Sequence, residues 1–165
     1  MVFEFQRYKL DVNVEATRKY YGTAKSISEN CTCDGCRNYE KAIDFLPHEV
    51  LSFFAQLGIE MKKASEVYII CANADDTLLY SGWYHLCAVM IHGESAWVSA
   101  SQAHAYWDST KTYPITNDFK VSFQEECALL DDTFPLPVIQ LQIEADIPWV
   151  LAEKHYYPKD MSRRK

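Results

Sequence analysis

The sequence predicts an α+β fold in a single domain, a mostly antiparallel sheet with an N-terminal strand and about three helices packed on one face or end. Three observations predict it. Apolar residues recur at helical spacing through the first third of the chain, then every second residue from about Glu66 onward. The length of 165 residues suits one core, and a hydrophobic content of 48% with 14% aromatics is enough to fill it. No internal repeat and no linker-like tract divides the chain.

Val2 to Leu10 reads as a first strand, with Phe3 and Phe5 on one face and Glu4 and Gln6 on the other; the alternation weakens at Tyr8 and Leu10. Asn13 suits the N-cap of a short helix in which Val14, Thr17 and Tyr21 share a face and Gly22 is the stop. Residues 23–35 read as a polar loop. Asp34 can cap a second helix, whose apolar face is Tyr39, Ala42, Ile43 and Leu46. Pro47 suits the first position of a third, because its missing N–H would be unpaired there. Val50, Leu51, Phe54 and Leu57 form that helix's inward stripe and Gly58 its stop.

The strands follow. Val67 to Ala72 is apolar on both faces, as in a central strand. Trp83 to Ile91 is a longer one, with His85 and Cys87 on one face and Tyr84 and Leu86 on the other. His92 to Ser95 reads as a turn into a short partner strand at 96–98. Residues 99–118 read as an unusually long connection, a kind that is often functional. Phe119, Val121 and Phe123, then Ile139, Leu141 and Ile143, alternate with polar residues in two half-exposed strands.

Composition narrows the function classes. The formal net charge is −7, and its one basic run is Ser162-Arg163-Arg164-Lys165. Nucleic-acid affinity rests on Lys and Arg neutralising phosphates, so this balance speaks against a nucleic-acid partner. Met1 to Arg7 lacks the charged segment and apolar run of a signal peptide. No stretch approaches the ~20 apolar residues of a membrane helix. The expectation is a cytoplasmic protein without membrane association, in which six cysteines stay reduced and are not a disulfide framework.

Cys31, Cys33 and Cys36 carry the one local pattern with distinct chemistry, C-x-C-x-x-C. Structural zinc takes four thiolate or imidazole ligands in a tetrahedron. These cysteines can supply three, with Gly35 allowing a tight turn; the favoured candidates for the fourth are His85 and Cys87, and then Cys71. A second reading is thiol redox chemistry at Cys36. With Asp34 as cap, backbone N–H groups and the helix dipole would favour its thiolate, and Cys33 or Cys31 could resolve an oxidised form. The polar loop before the motif lacks the strand of a redox βαβ unit, and Asp34 opposes a thiolate. The third reading is a loop-to-helix junction whose thiols only pack, as buried thiols commonly do.

Other features favour plain structural roles. A His inside an apolar strand is more often a hydrogen-bonded sheet residue than a ligand, so His85 has that alternative too. His48, His92, His104 and His155 show no metal spacing. Gly93-Glu94-Ser95-Ala96-Trp97 lacks the final glycine of a nucleophile elbow. The pairs at Asp75 and Asp131 fall in turns, where Asp is favoured by local hydrogen bonding. Five glycines and no glycine-rich loop argue against nucleotide phosphates. Trp83, Tyr84, Trp97, Tyr106 and Trp107 could line a small-molecule cleft or a protein interface, though aromatics are also ordinary core material.

The segments Cys31 to Tyr39, Ser81 to Cys87 and Ile147 to Leu151 together resemble an uncharacterised bacterial family of small cytosolic proteins with a C-x-C-x-x-C-R-N motif. The resemblance implies a single-domain bacterial protein and brings no activity with it. The combined expectation is a binding or regulatory module, not an enzyme, with structural zinc at the cysteines and a protein partner or homodimer as the open possibility.

Overall fold

A computed structural model describes residues 1–101 and 104–163. Arg164 and Lys165 of the basic run, and two positions in the 99–118 stretch, lie outside the described residues. The fold is α+β with a mostly antiparallel sheet that begins at the N-terminal strand. Among the described residues no helix is long and apolar enough to cross a membrane.

The first expected strand is two. β1 (Val2–Phe5) and β2 (Tyr8–Val12) form a hairpin that pairs Phe5 with Tyr8 and Phe3 with Leu10. Gln6 turns the chain with φ of 54°, a left-handed conformation that non-glycine residues seldom adopt. The weakened alternation at Tyr8 marks this reversal. Phe3 and Phe5 then meet Phe53 edge to face, with ring centroids 5.6 and 4.9 Å apart.

Asn13 caps α1 (Val14–Thr23), its Oδ1 accepting the Ala16 N–H at 3.0 Å. The helix runs one residue past Gly22. The expected loop that follows contains a single helical turn, α2 (Ile27–Asn30), in which the Glu29 carboxylate takes the Ser26 N–H at 2.7 Å. α3 (Asp34–Ala42) and α4 (His48–Gln56) are joined through a 3-10 turn at Ile43–Phe45. Gly58 ends the pair with φ of +77°; a Cβ there would lie 2.6 Å from the Val14 carbonyl, so glycine lets this exit lie against α1.

The sheet is built on β4 (Leu78–His92), fifteen residues long. On one side β4 pairs throughout Leu78 to Cys87 with β9 (Val138–Ile147), beyond which lie β8 (Phe119–Gln124) and β7 (Tyr113–Thr116). On the other side β3 (Glu66–Ala72) covers its first half and β2 its end. The gap between them is closed by α1. The Tyr21 hydroxyl takes the His85 N–H at 3.1 Å and donates to the His85 carbonyl at 2.9 Å, while Thr17 Oγ1 takes the Cys87 N–H at 3.0 Å. Two side-chain hydroxyls thus replace a missing strand.

Two expectations about strands need correction. β3 is not central. Its named-strand partner is β4 alone, and Tyr68 and Ile70 are 45% and 52% exposed. The strand after the His92 turn does not return to β4; β5 (Trp97–Ser101) pairs with β6 (His104–Trp107) in a separate hairpin, where Trp97 and Trp107 meet edge to face. The long connection is therefore largely this hairpin and β7.

The sheet has two unlike faces. Tyr80, Tyr84 and Leu86 of β4 stand beside Ile139, Leu141, Ile143 and Ala145 of β9 and Phe119, Val121 and Phe123 of β8. All are buried, and this apolar face carries the helices, with Phe54 of α4 against both Tyr84 and Phe119. The opposite face holds Ser81, Trp83, His85, Gln140, Gln142, Ser122 and Gln124. It lies under residues 125–137, where Trp83 donates to the Ala128 carbonyl and Gln140 accepts the Ala128 N–H.

Candidate metal centre

The junction of α2 and α3 gathers the three cysteines. Cys31 follows α2, Cys33 is the N-cap of α3, and Cys36 lies in its first turn. The Cys33 sulfur accepts the Cys36 N–H at 3.5 Å, the geometry of a capping side chain. Sulfur thus does the capping expected of Asp34, which instead opens the helix and pairs with Arg37 at 3.1 Å. The Sγ atoms of Cys31, Cys33 and Cys36 all lie within 4.8 Å of one another, with Cys31 and Cys33 only 3.3 Å apart. Cys36 is buried, Cys31 half-buried and Cys33 exposed.

This junction is pinned to the sheet. Tyr80 of β4 donates to the Gly35 carbonyl at 2.9 Å and accepts from Asn38 at 3.2 Å. Asn38 is fully buried; its amide also donates to the Pro148 carbonyl at 3.1 Å and its Oδ1 accepts the Val150 N–H at 2.7 Å. One turn on, the Tyr39 and Tyr84 hydroxyls are 2.8 Å apart, and Tyr84 donates onward to the Met61 carbonyl. A hydroxyl has one proton to give, so Tyr39 is the donor within that pair. Glycine at 35 admits a close approach: a Cβ there would lie 3.1 Å from Ile69 Cδ1 and 3.2 Å from the Tyr157 hydroxyl.

The chain after β9 was not part of the expected site, yet it wraps this helix. Glu153 pairs with Arg37 at 3.4 Å, Tyr157 approaches Gly35, and the Ala72 N–H donates to the Pro158 carbonyl. The signal was present only as the aromatic and apolar character of Trp149, Val150 and Tyr157 among charged neighbours, and nothing in that pattern points to α3.

The thiols differ in acidity. Cys31 is pulled below the ordinary thiol value, chiefly by the Cys33 backbone N–H and then by the Cys36 and Cys33 thiols. Cys36 is pushed well above it, chiefly by burial and further by its two neighbours. The redox expectation is corrected accordingly: the thiol favoured as thiolate is Cys31 and not Cys36, because the helix start encloses Cys36 in apolar surroundings.

The favoured fourth ligands stand elsewhere. Among the described residues, the group of close metal-binding side chains at this junction is the three cysteines, without His85, Cys87 or Cys71. The reason is strand parity. Tyr80 and Tyr84 face α3, so His85 and Cys87, at odd positions of the same strand, face the other side of the sheet. There His85 Nδ1 is 3.0 Å from Ser65 Oγ, its ring meets Phe134 edge to face, and burial lowers its pKa to about 4. Cys71 pairs with Leu79, of that same odd set, after a register shift following Ile69. His85 and Cys87 do share one face of β4, as expected, and it is the wrong one for the cysteines.

Three sulfur donors this close can hold a soft or borderline metal ion. Comparison with protein-family models, with curated proteins and with solved structures finds no match to the chain.

Proposed function

We propose that Cys31, Cys33 and Cys36 bind zinc for structure, in a cytoplasmic protein that acts by binding or regulation and not by catalysis. The observation that carries this reading is the mutual approach of the three sulfurs within 4.8 Å. Zinc–thiolate bonds of about 2.3 Å in a tetrahedron set sulfur separations near 3.8 Å, so the cluster needs only small side-chain adjustments to accept the ion. Bound there, zinc would clip the end of α2 to the first turn of α3 and neutralise thiolates that otherwise repel one another. The buried tyrosine and asparagine bonds behind α3 give the ligands a rigid support, the outer layer that metal sites generally require.

The test is metal analysis of reduced, tag-free protein. It should carry about one equivalent of zinc, as one tetrahedral site demands, and Cys33→Ser should lose most of it. Wild-type protein isolated and reconstituted without any bound zinc would overturn the reading.

A further inference from the structure

The three sulfurs are not equivalent. Those of Cys31 and Cys33 are in direct contact, the Cys31 thiol donating to the Cys33 sulfur at 3.3 Å. Cys33 is exposed and Cys31 half-buried, so this pair meets solvent, whereas Cys36 is buried. A disulfide needs its sulfurs at about 2.05 Å, and backbone freedom decides which thiols can close that gap. Cys31 lies just past α2 and Cys33 just before α3, both with extended backbone, at φ and ψ of −141° and 117° and of −67° and 156°. Thr32 between them belongs to no helix or strand. Side-chain rotation at the two ends of this link can bring the sulfurs together without unwinding a helix.

Cys36 is held differently. It lies in the first turn of α3, next to Gly35, whose carbonyl receives the Tyr80 hydroxyl at 2.9 Å and which Ile69 and Tyr157 crowd. Its N–H donates to the Cys33 sulfur at 3.5 Å. Moving it toward either partner would strain a turn that is anchored to the sheet. Burial also keeps dissolved oxidants from its sulfur, since oxidation follows exposure.

We infer that Cys31 and Cys33 form an oxidative modification site, where a hydroperoxide joins them in a reversible disulfide that spares Cys36 and opens the metal centre. The steps balance. One sulfur of the pair attacks a peroxide oxygen; the O–O bond breaks, a sulfenic acid forms, and the other oxygen leaves with the thiol proton, as water when the oxidant is hydrogen peroxide. The second sulfur then attacks the sulfenic sulfur. The S–S bond forms, the S–O bond breaks, and the hydroxyl leaves with the second thiol proton as water. Two electrons pass from the pair to the peroxide. A ring closed over a single intervening residue is strained, the kind of disulfide that a dithiol readily reduces. Loss of these two thiolates leaves zinc with Cys36 alone of the three, and this last consequence rests on the metal reading above.

Peptide-resolved mass spectrometry tests it. Reduced, metal-free, tag-free protein is treated with a small excess of hydrogen peroxide, unfolded in iodoacetamide and cut with trypsin. Residues 26–37 then form one peptide that holds all three cysteines. It should carry a single alkyl group, on Cys36, and lack the two thiol hydrogens of the joined pair; dithiothreitol should restore all three alkylatable thiols. An alkyl group on Cys31 or Cys33, with Cys36 in the bond, would overturn the assignment, as would sulfinic acid in place of a disulfide. Cys36→Ser should keep the disulfide at close to wild-type yield and Cys31→Ser should lose it; a wild-type yield in Cys31→Ser would count against the pair. Zinc-loaded protein tests the opening of the centre: peroxide should release zinc to a chromogenic chelator in step with the disulfide. Zinc retained beside a complete disulfide would refute that opening. Protein that binds no zinc defeats the metal reading instead, and the metal-free result still decides the disulfide.

Discussion

The Tyr80 hydroxyl donates to the Gly35 carbonyl at 2.9 Å, joining the longest strand of the sheet to the turn between two of the clustered cysteines. The same oxygen accepts from Asn38, so one buried hydroxyl ties strand, helix and, through Asn38, the chain after β9. Removing it costs the Gly35 carbonyl its side-chain donor, leaving the helical one, and leaves the buried Asn38 amide short of an acceptor. Tyr80→Phe should therefore destabilise the fold by about 1–3 kcal/mol, the penalty for an unsatisfied buried polar group. Urea denaturation measures this. The variant should also bind zinc more weakly in chelator competition, because Gly35 stands between the ligands Cys33 and Cys36.

The metal-free thiols should separate by reactivity. Cys31 is held below the usual thiol range by the Cys33 N–H, while burial raises Cys36. Thiolate is the nucleophile, so alkylation at Cys31 should have a pH midpoint below the ordinary value of about 8.5. Cys36 should stay unmodified until the protein unfolds. Peptide-resolved mass spectrometry of iodoacetamide-treated protein across pH 6–10 checks both. Labelling of Cys36 ahead of Cys31 in native protein would contradict this electrostatic ordering.

His85 gives the protein an acid-sensitive stability. It is 2% exposed, and burial lowers its pKa from 6.5 to about 4, while the nearby Ala128 carbonyl and Gln140 side chain oppose that shift. A base with a depressed folded pKa binds its proton more readily when unfolded. The unfolded state then holds more protons between these two values, so stability falls as pH drops through that window. The full loss is on the order of 3 kcal/mol at 1.36 kcal/mol per unit. His85→Gln removes the titration, and its denaturation midpoint should vary less over pH 6.5–4 than that of the wild type. Equal slopes for both proteins would show that His85 is not the titrating group.

Legibility in the sequence followed periodicity. α1, α3, α4, β8 and β9 were visible because each buries one stripe or one face and leaves the other polar. The β1–β2 hairpin was not, since its turn at Gln6 and Arg7 contains no glycine or asparagine to announce a left-handed residue. β3 looked central because Tyr68 and Ile70 are apolar although exposed. The cysteine cluster was legible as three neighbours in sequence. Its relation to His85 and Cys87 was not, because β4 is largely apolar on both faces and its own pattern does not say which one meets the helices. The clue lay on β9: Gln140 and Gln142 mark the face away from the core, and His85 pairs with Gln140.

Asn38 should act as the clasp between α3 and the chain that follows β9. Its amide donates to the Pro148 carbonyl and its Oδ1 accepts the Val150 N–H, while its second donor role is to Tyr80. Among the described residues the ion pair between α3 and this segment is the exposed contact of Arg37 with Glu153. Exposed pairs contribute about 0–1 kcal/mol, too little to hold the segment alone. Asn38→Ala should therefore cost about 2–4 kcal/mol in global stability. Its distinguishing effect is local: amide exchange across residues 148–157 should rise well before that of β4 or β9. Arg37→Ala, by contrast, should leave exchange in that segment close to wild type. If both variants loosened it equally, the surface ion pair and not the buried amide would be the clasp.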